Sequence, residues 1–178
     1  MPLPFLTSLR WIAFSLAAAA GAGGIWWRII DHAALAAPMG PASPIYGVTI
    51  PDGYRSWELV GPSLEAAPLN ELRVIVGNKV AINAYKSGKL PFPNGSILVK
   101  LAWKRAQSPD FAPATIPAAA TTVQVMVKDS RRYAASGGWG YGRFANGIPA
   151  PEAQQATCFA CHSGHVRERD YVFTHYAP

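Results

Sequence analysis

Cysteine is nearly absent from this chain: 178 residues include two, Cys158 and Cys161. No disulfide framework is needed to explain two thiols three positions apart, and both stay available for other chemistry. Charge is scarce as well. Charged side chains make up 15% of the chain, with 10 acidic residues against 16 Lys and Arg, a formal balance of +6. Such a modest excess either suits an acidic partner or simply keeps the protein soluble. Without a basic helix or a recognisable nucleic-acid module beside it, no nucleic-acid partner is expected. Internal repeats and low-complexity tails are lacking too. Hydrophobic residues reach 50%, enough to bury a real core in a single domain of ordinary size.

What is present is concentrated late in the chain. Cys158-Phe159-Ala160-Cys161-His162 has the C-x-x-C-H spacing by which a c-type haem is attached. The two thiols bond the porphyrin vinyl groups, and the adjacent imidazole reaches the iron from the proximal side. Three other readings compete. A thioredoxin-like redox pair belongs near the start of a βαβ unit, whereas this pair lies near the C-terminus. A zinc site drawn from Cys158, Cys161, His162, His165 and His175 would be compact, because zinc modules separate their ligand pairs by a longer loop. Chance occurrence is the third. One covalent haem c, with His162 as metal ligand, is the favoured expectation.

The N-terminus reads as a targeting element. Arg10 precedes the apolar Trp11-Ile12-Ala13-Phe14-Ser15-Leu16 and an alanine run, with small-residue cleavage sites after Ala20 or Ala22 and at Ala34-Leu35-Ala36. The uncharged stretch extends to Arg28, near the length that crosses a bilayer, so residues 1–36 are either a signal peptide or a membrane anchor. Both place the domain outside the cytoplasm, in the periplasm, where c-type haem is attached. Residues 37–45 form a Pro- and Ala-rich linker, and 46–178 form the folded domain.

Sixteen prolines forbid long uninterrupted helices through most of the chain, which argues against a four-helix haem bundle. Strands are expected at 57–60, 71–76, 96–103 and 122–127, where β-branched and aromatic residues lie between turn formers. Asn94-Gly95 marks a turn before the third. The glycine-rich Gly137-Gly138-Trp139-Gly140-Tyr141-Gly142-Arg143-Phe144 reads as a further strand or turn-strand, and 173–176 as a short final one. Helices are expected at 79–87, ending at Gly88, and at 152–162 after Pro151. The fold class is therefore mainly β (α+β), an antiparallel sheet with a few short helices and a C-terminal haem-attachment segment.

Alternation assigns faces. Ile97, Val99, Leu101 and Trp103 share one face of the third strand; Leu98, Lys100, Ala102 and Lys104 share the other. Lys100 either covers its apolar neighbours with its stem or enters a pocket, where desolvation lowers its pKa. In the next strand Val123, Val125 and Val127 form the core face, with Gln124 and Met126 opposite. Met126 is a candidate sixth iron ligand or simple packing. His165, three residues past His162, is too close to reach around a porphyrin; His175 is a further candidate.

The segments Ile50-Pro51-Asp52-Gly53-Tyr54-Arg55-Ser56-Trp57, Gly95-Ser96-Ile97-Leu98-Val99-Lys100, Gln124-Val125-Met126-Val127-Lys128-Asp129-Ser130-Arg131-Arg132-Tyr133, Gly137-Gly138-Trp139-Gly140 and Cys158-Phe159-Ala160-Cys161-His162 resemble the cytochrome P-460 family from about residue 46 onward. The resemblance implies a mainly antiparallel β fold, one c-type haem and a homodimer. The family's best-known members oxidise hydroxylamine at a five-coordinate haem cross-linked to a lysine, and Lys100 occupies the matching place. Arg73 resembles a distal-pocket arginine, its alternative being a surface strand charge. A soluble cytochrome is the implied electron partner.

A sister group, the cytochromes c′-beta, lacks the cross-link, caps its distal face with aromatics and binds nitric oxide or carbon monoxide. Phe92, Phe111, Trp139 and Phe144 are the candidates for such a cap, or else core residues. Gln124 is neutral and Glu152 is the one acid shortly before the haem motif, which leaves no assigned base for a hydroxylamine oxidation. Three functions stand: redox conversion of a small nitrogen compound, gas binding without turnover, and simple electron transfer by a six-coordinate haem, which needs Met126, His165 or His175 on the distal side.

Overall fold

The computed structural model describes residues 40–177; the expected leader at 1–36 and the first part of the expected linker lie outside them. Within the rest of that linker, Ser43 is buried, and its hydroxyl donates to the Tyr141 carbonyl at 3.0 Å while accepting from Val48 N–H. Among the described residues no helix is long and apolar enough to cross a membrane.

Six antiparallel strands form one sheet in chain order: β1 (Glu58–Glu65), β2 (Glu71–Gly77), β3 (Ile97–Gln107), β4 (Thr115–Lys128), β5 (Trp139–Ala145) and β6 (Ile148–Pro149). Helix α1 (Lys79–Lys86) joins β2 to β3, and α2 (Glu152–His165) follows β6. The mainly β expectation holds. All four expected strands are present, each longer than its apolar signal, and the glycine-rich segment supplies β5. The Asn94-Gly95 turn forms with Gly95 at φ 85° and its N–H on Lys128 O at 2.8 Å. The expected strand at 173–176 is not one. This segment is extended but pairs with no ladder; it lies across β1, where Ala177 N–H meets Val60 O at 2.7 Å.

β4 starts seven residues before its expected start. Pro117 and the alanines after it are poor strand formers, yet they pair with β3 through Arg105↔Pro117 and Ala106↔Ile116. β5 pairs with β4 only from Val123 onward, so the first half of β4 is a sheet edge on that side, where a missing N–H is tolerated.

Both faces of the sheet carry core, as the alternation in β3 predicts. Val99, Leu101 and Val125 pack on one side with Val48, Tyr133 and Phe144. Leu98 and Ile75 pack on the other with α1, Phe92 and Trp139. Each such side chain contributes roughly 1.5–3 kcal/mol by leaving water. α1 is capped at both ends. Asn78 Oδ1 accepts Ala81 N–H at 3.0 Å, and past Ser87 the left-handed Gly88 lets Lys89 N–H reach Ala84 O at 2.9 Å.

Candidate haem site

α2 runs from Glu152, directly after Pro151, to His165, three residues beyond its expected end. On a helix, positions 158, 161 and 162 fall on adjoining faces, so the two thiols and the imidazole are presented together. Gln155, fully buried one turn earlier, locks the helix to the sheet by donating from Nε2 to the carbonyls of Arg143 and Ala150, each at 3.3 Å. Glu152 in the first turn sits favourably in the helix dipole and is exposed.

Between α2 and the sheet lies a cavity of about 570 Å³, lined by Cys158, Cys161 and His162 on one wall and by Arg73, Lys100, Gln124, Met126 and Arg143 on the other. The register explains the second wall. Ile75 pairs with Lys100, Lys100 with Gln124, and Gln124 with Arg143, so one row of cross-strand neighbours runs over four strands. The adjoining row carries Ser63, Arg73 and Ala102, and Glu65 pairs with Glu71 beside it. The structure thus brings together Lys100, Arg73, Cys158, Cys161 and His162 from three separate stretches of chain.

Arg73 is not a surface charge. Its guanidinium is ion-paired with Glu65 and with Glu71, the latter at 2.7 Å, and Glu71 is buried and also accepts from Thr121 Oγ1 at 2.8 Å. Lys100 has no carboxylate partner among the described residues. Burial, followed by the fields of Arg73 and Arg143, brings its amine down to about 8. Of the two fates considered for this lysine, the pocket is the one adopted. Burial also raises the Cys158 thiol, with Arg143 and Lys100 opposing.

His162 is held by the backbone. Its Nδ1 lies 2.7 Å from the Tyr171 carbonyl; a carbonyl only accepts, so Nδ1 carries the proton and Nε2 keeps its lone pair. Burial, and secondarily the positive Lys100, push its pKa down, which favours this neutral form. The Tyr141 ring lies 5.0 Å from the imidazole, and its buried hydroxyl has no hydrogen-bond partner. Two adjacent thiols, a neutral imidazole with a fixed tautomer, an unpartnered hydroxyl and a cavity of ligand-pocket size fit a haem.

The competing sites are not assembled. No group of three or more His, Cys, Asp or Glu among the described residues is arranged to hold a metal ion, and the sheet before α2 is antiparallel rather than a βαβ unit. His165 lines the cavity with its Nδ1 2.8 Å from Cys161 O, whereas His175, with Nε2 2.7 Å from Arg169 Nη1, does not line it. Met126 lines the cavity and packs against the core.

Of the two readings for the four aromatics, three take the core one: Phe92 and Trp139 meet edge to face inside the core and Phe144 is buried against the opposite sheet face, while Phe111 is 62% exposed. Tyr141 and Phe173 are the aromatics that do face the cavity. The acid expectation is corrected. Glu65 and Glu71, remote from the haem motif in sequence, stand on the cavity side of the sheet, whereas Glu152 does not line the cavity. Arg143 and Tyr141 were legible as the same face of the glycine-rich strand; the two glutamates become neighbours of Lys100 only through strand register.

An antiparallel sheet facing a helix that carries C-x-x-C-H defines a haem-binding cytochrome of the mainly β class. The chain belongs to the cytochrome P-460 family, whose sequence model matches residues 51–174, most of the chain. No curated protein matches it.

Proposed function

We propose that this chain is a periplasmic mono-haem cytochrome that carries out redox conversion of a small nitrogen compound such as hydroxylamine. Its one haem c is bonded to Cys158 and Cys161, ligated by His162 and cross-linked to Lys100. The observation that carries this reading is Lys100, an amine without an ion-pair partner among the described residues, projecting from β3 into the cavity lined by the C-x-x-C-H residues. With its pKa near 8, about a tenth of the amine is neutral and nucleophilic at pH 7, roughly two- to three-hundredfold more than for an ordinary lysine. The leader-like N-terminus supports the location, because covalent haem is attached outside the cytoplasm.

When bound, the haem supplies the redox-active iron that takes electrons from the small compound. The chain's own residues do the rest. His162, fixed by the Tyr171 carbonyl, offers Nε2 to the iron. Arg73, pinned by Glu71, presents guanidinium donors that orient a small polar molecule. Glu65, half-shielded and paired to Arg73, is the one carboxylate lining the cavity among the described residues and would be the side chain to accept released protons. Cys161 is exposed at the cavity rim, which favours electron transfer to a soluble cytochrome docking there. A homodimer would cover Phe111, exposed in the turn between β3 and β4, and Ile116, exposed near the start of β4. Sedimentation at micromolar concentration tests it: a dimer is expected, and a monomer refutes that part.

Intact mass and peptide mapping of the purified holoprotein decide the main reading. Lys100 is expected within the haem peptide, with a strongly red-shifted ferrous spectrum. An ordinary c-type spectrum and a free Lys100 peptide would sink the cross-link. Two observations favour the second reading, gas binding without turnover. Gln124, next to Lys100, is neutral, and Glu71 is fully engaged by Arg73 and Thr121. A ferrous form that takes up nitric oxide yet leaves hydroxylamine unoxidised supports that alternative.

A further inference from the structure

Near His162, and joined to it through the Asp170-Tyr171 segment, a second charge pair is buried that neither the haem motif nor the proposed chemistry uses. Lys128 at the end of β4 and Asp170 in the segment after α2 are 5% and 8% exposed, and Lys128 Nζ lies 2.6 Å from Asp170 Oδ1. Every polar group of Asp170 on this side is engaged. Oδ2 accepts Phe92 N–H at 2.8 Å, and the backbone carbonyl accepts Trp139 Nε1–H at 2.8 Å. Lys128 donates further to Gly137 O at 3.1 Å and sits 5.0 Å over the Trp139 ring. A buried ion pair is costly unless its hydrogen bonds are complete, and it is weak evidence for stability as such. It does specify geometry.

The geometry it specifies is unusual. Asp170 and Tyr171 are consecutive non-glycine residues at φ 51° and 65°, a conformation that a bulky residue such as Tyr171 rarely adopts. Gly137 is bare for the same reason: a Cβ there would run into the Tyr171 ring. The product of this double left-handed turn is the placement of one atom, the Tyr171 carbonyl oxygen, 2.7 Å from His162 Nδ1.

We propose that the Lys128–Asp170 pair is a positioning device for the proximal histidine: by fixing the Asp170-Tyr171 turn it holds the Tyr171 carbonyl on His162 Nδ1–H and thereby sets the electron donation of Nε2. A hydrogen bond on the outer nitrogen raises the basicity of the inner one, and a more basic ligand stabilises the oxidised metal. The inference rests on His162 being the haem ligand.

The test uses haem-loaded wild-type, Asp170→Asn, Lys128→Met and the double variant Lys128→Met/Asp170→Asn. Asn tolerates the left-handed conformation, so Asp170→Asn removes the charge with little backbone penalty. Loss of the pair is expected to raise the midpoint potential, lower the iron–histidine stretching frequency of the ferrous protein, and weaken the downfield His162 Nδ1–H proton resonance. Lys128→Arg is expected to restore part of all three. If the single variants do not fold, the double variant, which leaves no uncompensated charge, carries the test. Folded variants with the wild-type potential and stretching frequency overturn the proposal. A wild-type protein that carries no covalent haem, or whose iron is not bound by His162, overturns the haem reading itself and is distinguishable from that outcome.

Discussion

Lys100 and Arg73 occupy neighbouring rows of one sheet face, yet burial acts on them in opposite ways. Arg73 is compensated by Glu65 and Glu71; Lys100 is not, and its pKa falls to about 8. In the haem-free protein, modification of Lys100 by an amine-directed reagent should therefore reach half-maximum near pH 8, about two units below an exposed lysine, as read by mass spectrometry across a pH series. The stability linkage has a definite sign. Between about pH 8 and 10.5 the unfolded chain binds the proton and the folded chain does not, so this lysine makes stability rise with pH through that window. A Lys100→Met variant should lose that slope in urea titrations. For Arg73 the expectation is loss: Arg73→Ala strands the buried Glu71 carboxylate and should lower unfolding free energy by about 3 kcal/mol, measured by denaturant titration at neutral pH. Glu71→Gln added to it should recover part of the loss. Full stability in the single variant would show that the ion pair is idle.

Elements in this protein are tied together by a few side chains at their ends. Asn78 caps α1 through Ala81 N–H and also accepts Ile97 N–H at 3.1 Å and donates to Gly95 O at 2.8 Å, so one residue fixes the helix, the turn and the start of β3. Asn78→Ala should cost roughly 1–2 kcal/mol, more than an isolated cap of its kind on the surface, in thermal unfolding. Gly140 in β5 faces the Tyr133 ring so closely that a Cβ would collide with it, and Gly140→Ala should destabilise by roughly 1–3 kcal/mol. The strand and helix signals were largely legible at this scale. β-branched runs located β1 to β4, and Pro151 and Gly88 marked a helix start and a helix end. What escaped was the first half of β4, because pairing with β3 overrides the poor strand propensity of Pro117 and its alanines. The segment at 173–176 escaped in the other direction: its residues favour strand, but the neighbouring β1 gives it no ladder.

For the whole molecule, the cavity of about 570 Å³ between α2 and the sheet is a large unfilled space, and its contents should bear on stability. A Cys158→Ser/Cys161→Ser variant, unable to bond haem, should unfold at a temperature lower by on the order of 5 °C than the loaded protein, as followed by circular dichroism. Equal melting temperatures would mean that the cavity does not depend on the cofactor. The sequence by itself determined the C-x-x-C-H segment, the mainly β class, and the two faces of β3 that put Lys100 opposite Val99. Those are local facts: motif spacing and the two-residue period of a strand need no knowledge of partners. Only the tertiary structure decided which other residues share the cavity with Lys100. Glu65, Arg73, Gln124 and Arg143 come from four strands, and their alignment is set by register across α1 and three further connections, which no local spacing encodes. The same holds beside His162, where Lys128 and Asp170 meet across 42 residues of chain because burying one charge requires the other.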